Sequence, residues 1–142
     1  MRLLLNALVC ALAILNRSEA SMPPIQILDT APSYVSVGTE AFVRLGTVYI
    51  IGSSTVVRDA AGSRGRCGDP FAVKKLASIL VHEEWHVTHP GDEQGAYYRQ
   101  LIALQQMGVA PGANVYRDVQ RAMVTVMQLR KRDKPELVLA TR

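Results

Sequence analysis

Apolar and polar positions change period several times along the chain. Leu3 to Leu15 is a nearly unbroken apolar run behind Met1-Arg2. After Pro23-Pro24, Ile25-Gln26-Ile27-Leu28 reads as a short extended segment. Ala41 to Ile51 is rich in β-branched and aromatic residues, with Gly46 marking a bulge or a turn between two strands. Thr55-Val56-Val57-Arg58 fits either another strand or the beginning of a short helix, and the glycine- and arginine-bearing stretch Ala60 to Gly68 reads as a loop.

From Asp69 the period becomes helical. Asp69 supplies a capping acceptor and Pro70 suits the first helical position. Ala72, Val73, Leu76 and Leu80 then form one stripe to bury, while Lys75, Ser78, His82 and His86 fall on a different, polar face. His89-Pro90-Gly91 ends this helix, because proline disfavours helical geometry in the residue before it. A second helix starts at Asp92 or Glu93 and runs through Tyr97, Leu101 and Leu104 to Met107, with Gly108 as its stop. A third, after Pro111-Gly112, carries Val115, Val119, Ala122, Val126 and Leu129 at helical spacing, widened by Met123 and Met127 as core filler. Arg130-Lys131-Arg132 at its end complements the helix dipole. The pattern predicts an α+β fold: short antiparallel strands or a hairpin, then three helices, in one domain spanning 21–133 with a flexible tail over 134–142.

The first apolar run changes this picture. A positive start, an apolar stretch too short to span a bilayer comfortably, and small residues at Ser18 and Ala20 read as a secretory signal peptide over 1–20, cut after Ala20. A retained membrane anchor is the alternative. Cleavage predicts a secreted or periplasmic protein with no stable membrane insertion. It also removes Cys10 and leaves Cys67 alone, so no intramolecular disulfide is expected. Cys67 is then buried or available to a partner; burial is the expectation, although Arg66 and Gly68 suggest a surface loop. The formal net charge of the whole chain, +4, is too small to argue nucleic-acid binding.

The chemistry concentrates in Val81-His82-Glu83-Glu84-Trp85-His86. Helix positions four apart lie one above the other, so His82 and His86 can present two imidazole nitrogens to one zinc ion. Glu83 lies about 100° round from His82, beside the ligands, where it could hold a water that the metal activates. Two imidazoles leave a tetrahedral ion one protein ligand and one open position short, which is the pattern of a catalytic zinc. The competing reading keeps both histidines as polar residues on a solvated helix face.

Three residues compete to supply the third ligand. A tight reversal through Pro90-Gly91 would bring the second helix back against the first, and Glu93 on its first turn could then face the ion. Asp92 is a rival, and one of the two acids is expected to cap the helix; Glu93 is favoured as ligand and Asp92 as cap. His89 is weaker, since seven residues put it about 10 Å along the axis from His82.

His82-Glu83-x-x-His86 resembles the signature of the zincin metallopeptidases, and Glu93-x-x-Ala96-Tyr97 looks like the Glu-x-x-Ala arrangement by which the gluzincin branch supplies its glutamate ligand. The resemblance covers only about Leu80 to Gln100. It implies zinc on His82, His86 and Glu93, with Glu83 as general base in the hydrolysis of a peptide or protein substrate. The gap from His86 to Glu93 is much shorter than in thermolysin-like enzymes, which requires a compact helix–turn–helix. Asp92 matches the third-ligand position of the metzincin pattern, but His89 stands where that pattern has glycine. Tyr97 or Tyr98 could donate to the oxyanion formed during hydrolysis. Two other functions remain open at this stage: a zinc-binding secreted module that cleaves nothing, and a plain secreted helical domain without metal.

Overall fold

The computed structural model describes residues 2–63 and 65–133. Its elements in chain order are α1 (Arg2–Ile14), a 3-10 turn (Glu19–Ser21), β1 (Ile25–Leu28), β2 (Ala41–Arg44), β3 (Thr47–Ile51), α2 (Thr55–Ala61), α3 (Pro70–Thr88), α4 (Glu93–Gln106) and α5 (Asn114–Asp133). The class is α+β, with a small mixed sheet and five α-helices among the described residues.

The expected hairpin forms between β2 and β3. Its turn is Leu45-Gly46, both at positive φ (51° and 80°), which matches the twist of the two strands it joins. Ala41 lies opposite Ile50 and Arg44 opposite Thr47. The sheet order is β1-β3-β2, so β3 is central and β2 is an edge. β1 pairs with β3 in parallel, Ile25 beside Val48, where only antiparallel pairing was expected. Alternation within a strand sets which face is buried; it does not say which neighbour the strand joins or in which direction. Here the long connection between β1 and β2 lets β1 come in on the far side of β3.

Helix and strand faces meet in one main core, built from Leu8 and Leu12 of α1, Val48 and Ile50 of β3, Val57 of α2, and Leu76 and Leu80 of α3. The predicted stripe Ala72, Val73, Leu76 and Leu80 is buried throughout. A second, smaller cluster joins α4 to α5 through Leu101, Leu104, Val109, Tyr116 and Val119. The ambiguous stretch at Thr55 is the helix α2, with Ala60 and Ala61 packed inside rather than in a loop. The expected tail over 134–142 lies outside the described residues.

Two expectations need correcting. The run Leu3–Leu15 forms α1, whose Ala7, Leu8, Cys10, Ala11 and Leu12 are buried in the main core, so the helices outnumber the three expected. Cys67 is not alone: it sits in the loop before α3 and forms a disulfide with Cys10. Beside that bond, Asn6 Nδ2 donates to the carbonyls of Ala61 (2.6 Å) and Arg66 (2.7 Å). Among the described residues no helix is long and apolar enough to cross a membrane.

The stripe predicted on α5 also divides. Val119 is buried in the cluster with α4, whereas Val126 and Leu129 stay outside both core clusters and face an open cleft that Val119 also borders. Arg130 Nη1 ties this end of α5 to the Gly91 carbonyl at 2.7 Å.

Candidate metal centre

The centre is built by the reversal between α3 and α4. Asp69 caps α3, its carboxylate accepting from the Ala72 amide at 3.1 Å, and Pro70 starts the first turn. The helix then runs without a break to Thr88, holding His82 and His86 one turn apart on a rigid element. His89 stops it, its amide still bonded to the Trp85 carbonyl at 2.8 Å.

Asp92 then caps α4. Its carboxylate accepts from the Gly95 amide at 3.0 Å and from the Trp85 indole at 2.9 Å, pinning the start of one helix to the end of the other. These two hydrogen bonds hold its carboxyl below the ordinary range. A Cβ at Gly95 would lie 2.1 Å from Asp92 Oδ2 and 2.7 Å from the Trp85 indole nitrogen, so any larger residue there displaces the Asp92–Trp85 pair. With this corner set, later residues of α4 meet earlier residues of α3: Glu93 faces His82 and His86, and Gln100 reaches back to Ser78.

His82, His86 and Glu93 thereby present one donor atom each, all within 4.8 Å of one another. His82 Nε2 lies 3.6 Å from Glu93 Oε1, and His86 Nε2 contacts the same oxygen directly. Ligands held tetrahedrally at zinc–nitrogen distances stand about 3.4 Å apart, so the His82–Glu93 spacing fits a shared ion. The two imidazoles hold Glu93's carboxyl well below the usual carboxylate range. For His86, burial works against the charged ring, but the hydrogen bond and charge of Glu93 outweigh it and raise its pKa.

Glu83 stands beside this group, its Oε1 3.8 Å from His82 Nε2. It is buried, and burial raises its pKa despite the two imidazoles that pull the other way. Its Oε2 is buried without a hydrogen-bond partner, which is costly for a carboxylate unless the group has a polar ligand to hold. Tyr97 sets its ring edge-on to His82, centroids 4.5 Å apart, and burial followed by the nearby carboxylates pushes its phenol up to about 12. At neutral pH it is therefore a donor.

The residues fit a zinc ion. Two imidazoles and a carboxylate form a three-ligand set of the kind that leaves a fourth position open on zinc, and the adjoining Glu83 carries an unpartnered buried oxygen. All of them open onto a cleft of about 860 Å³, lined on one side by β2 and on the other by α5. A Lys75–Glu40 ion pair of 3.2 Å stands in the same cleft.

Of the other candidates, His89 stacks on Trp85 (centroids 3.6 Å apart, 3° between planes) and is exposed, outside the group. Tyr98 is exposed and does not line the cleft. Sequence reasoning named no partner for the imidazoles. The structure supplies one in Gln100, whose signal was its place seven residues after Glu93, two turns along one face of α4. No family model matches the chain, and no curated protein or solved structure matches it significantly.

Proposed function

We propose that this chain is a zinc-dependent peptidase of the zincin type, gluzincin-like in its ligand set. The observation that carries the reading is the meeting of His82, His86 and Glu93 beside a buried Glu83 with an unpartnered oxygen. Held by His82, His86 and Glu93, zinc would supply a Lewis acid and the means to acidify a water near neutral pH. Glu83, its proton affinity already raised by burial, takes the proton of a water attacking a peptide carbonyl and returns it to the departing amine. Tyr97 keeps its phenolic proton and offers a donor to the oxyanion. β2 is a sheet edge that lines the cleft, and an extended peptide binds along it by backbone hydrogen bonds.

A secreted or periplasmic location rests on the leader-like start of the chain, Met1-Arg2 followed by the apolar run Leu3 to Leu15. The Cys10–Cys67 disulfide belongs to a chain that keeps this segment, in a compartment where thiols are oxidised.

Elemental analysis of the purified protein, paired with a fluorogenic peptide library, tests the reading. One zinc per chain is expected, with hydrolysis lost in Glu83→Gln while zinc is kept, and zinc lost in His86→Ala. Zinc bound with no peptide cut makes the chain a metal-binding module without activity. Absence of stoichiometric metal after gentle purification defeats every zinc reading.

A further inference from the structure

We propose that Ser78 and Gln100 are positioning residues, forming a one-way hydrogen-bond relay that fixes His82 as its Nδ1–H tautomer. The inference rests on the zinc reading for its purpose but stands on its own geometry. Ser78 is 0% exposed and Gln100 4% exposed, two polar side chains that meet in the seam between α3 and α4. Burying them is unfavourable unless their polar atoms are paired, and the pairing found here has a direction.

It begins at a backbone carbonyl. Ser78 Oγ donates its single proton to the Lys75 carbonyl at 2.6 Å, and a carbonyl can only accept. With that proton committed, Ser78 Oγ is left as an acceptor, and the nitrogen of the Gln100 amide donates to it at 3.1 Å. The amide is thus oriented: its oxygen must face the other way, 2.9 Å from His82 Nδ1. An amide oxygen also only accepts, so Nδ1 carries the hydrogen and the neutral ring keeps its lone pair on Nε2. That nitrogen is the one facing Glu93 Oε1 at 3.6 Å and Glu83 Oε1 at 3.8 Å. Each link is decided by the one before it, so a serine two turns from Glu93's partner His86 determines which nitrogen His82 can offer an ion. A leucine at 100 would fill the seam equally well and leave the ring free to present the wrong nitrogen.

The test uses the metal-free, 15N-labelled full chain at about pH 8, above the ordinary imidazole range. Long-range 1H–15N spectra are expected to give His82 a protonated Nδ1 and an unprotonated Nε2. Ser78→Ala releases the amide to flip and is expected to mix the two tautomers; Gln100→Leu removes the acceptor and does the same. In zinc competition assays Gln100→Leu is expected to weaken binding roughly 10–100-fold, with Gln100→Glu, which still accepts from Nδ1, restoring most of the loss. A wild-type His82 protonated at Nε2 overturns the proposal. So does an unchanged tautomer in a folded Ser78→Ala, the variant that keeps the test open if Gln100→Leu does not fold. Wild-type protein that binds no zinc defeats the peptidase reading alone, since the spectra of metal-free protein still decide the relay.

Discussion

Asp92 and Glu93 are neighbours in sequence but face different partners across the same corner. Asp92 binds the Gly95 amide and the Trp85 indole, while Glu93 turns inward to the imidazoles of His82 and His86. One acid builds the reversal and the other uses it. The two therefore fail differently when changed. Glu93→Gln is expected to lower zinc affinity by at least tenfold, and also to lower the melting temperature of metal-free protein, because it removes the carboxylate that pairs with His82 and His86. Asp92→Ala is expected to lower that melting temperature by a few degrees while zinc still binds. Thermal melts paired with zinc titration of each variant separate the roles, and a loss of zinc confined to Asp92→Ala would reverse the assignment.

Glu83 carries a cost in the metal-free protein that its proposed role explains. A buried carboxylate with an unpartnered oxygen destabilises the fold once it is charged. Glu83→Gln removes the charge, so it is expected to raise the melting temperature of metal-free protein at neutral pH. The same variant should lower peptide hydrolysis by about 10²–10⁴-fold, the usual contribution of a general base. A variant both more stable and inactive marks a residue kept for chemistry. One that is less stable at neutral pH would make Glu83 a packing residue.

The stability of metal-free protein depends on pH through the same cluster. Glu93's carboxyl is lowered from an ordinary 4.5, so its contribution is full above that value and is lost as pH falls through the lowered one. His86 is raised from 6.5, so its contribution is full below 6.5 and is lost as pH rises through the raised value. Both are present between 4.5 and 6.5. Glu83, raised from 4.5, favours its protonated form in the fold and adds a penalty as pH climbs. Glu93 is constant over this range while His86 and Glu83 agree in sign, so metal-free protein melts higher at about pH 5.5 than at about pH 8. Zinc competes with the proton on His86, so its affinity runs the other way, falling as pH drops. A calorimetric pH series with and without zinc reads both trends.

Much of this arrangement was legible in the chain because it is written in local chemistry. Asp69-Pro70 and Asp92 announce helix starts by their capping acceptors, and Leu45-Gly46 turns where the glycine suggested. The four-residue step from His82 to His86 requires only one helix to bring two imidazoles together. What was not legible depends on partners far away in sequence. β1 reads as a strand from Ile25 to Leu28, but nothing in those residues says it runs parallel to β3. Gln100 reads as an ordinary polar position until α4 closes on Ser78 and His82. Val126 and Leu129 match Val119 in pattern and share the cleft with it, and only packing against α4 buries Val119.

The N-terminal segment is where the sequence pattern and the packing weigh most differently, and removing it is the sharpest test of the fold. α1 contributes Leu8 and Leu12 to the main core, each worth about 1.5–3 kcal/mol when buried. It also carries one half of a disulfide that spans 57 residues, a closure worth about 2–4 kcal/mol. Arg17, just after the helix, pairs with Glu84 on α3, two residues from each proposed histidine ligand. A chain beginning at Ser21 is therefore expected to lose several kcal/mol of stability, and Cys67→Ser in the full chain only the disulfide share. Denaturant melts of the two variants beside the full chain measure both. Intact-mass analysis of protein recovered from an exporting host then asks whether α1 is removed. Equal stability of the full and shortened chains would make α1 dispensable to the core that it fills.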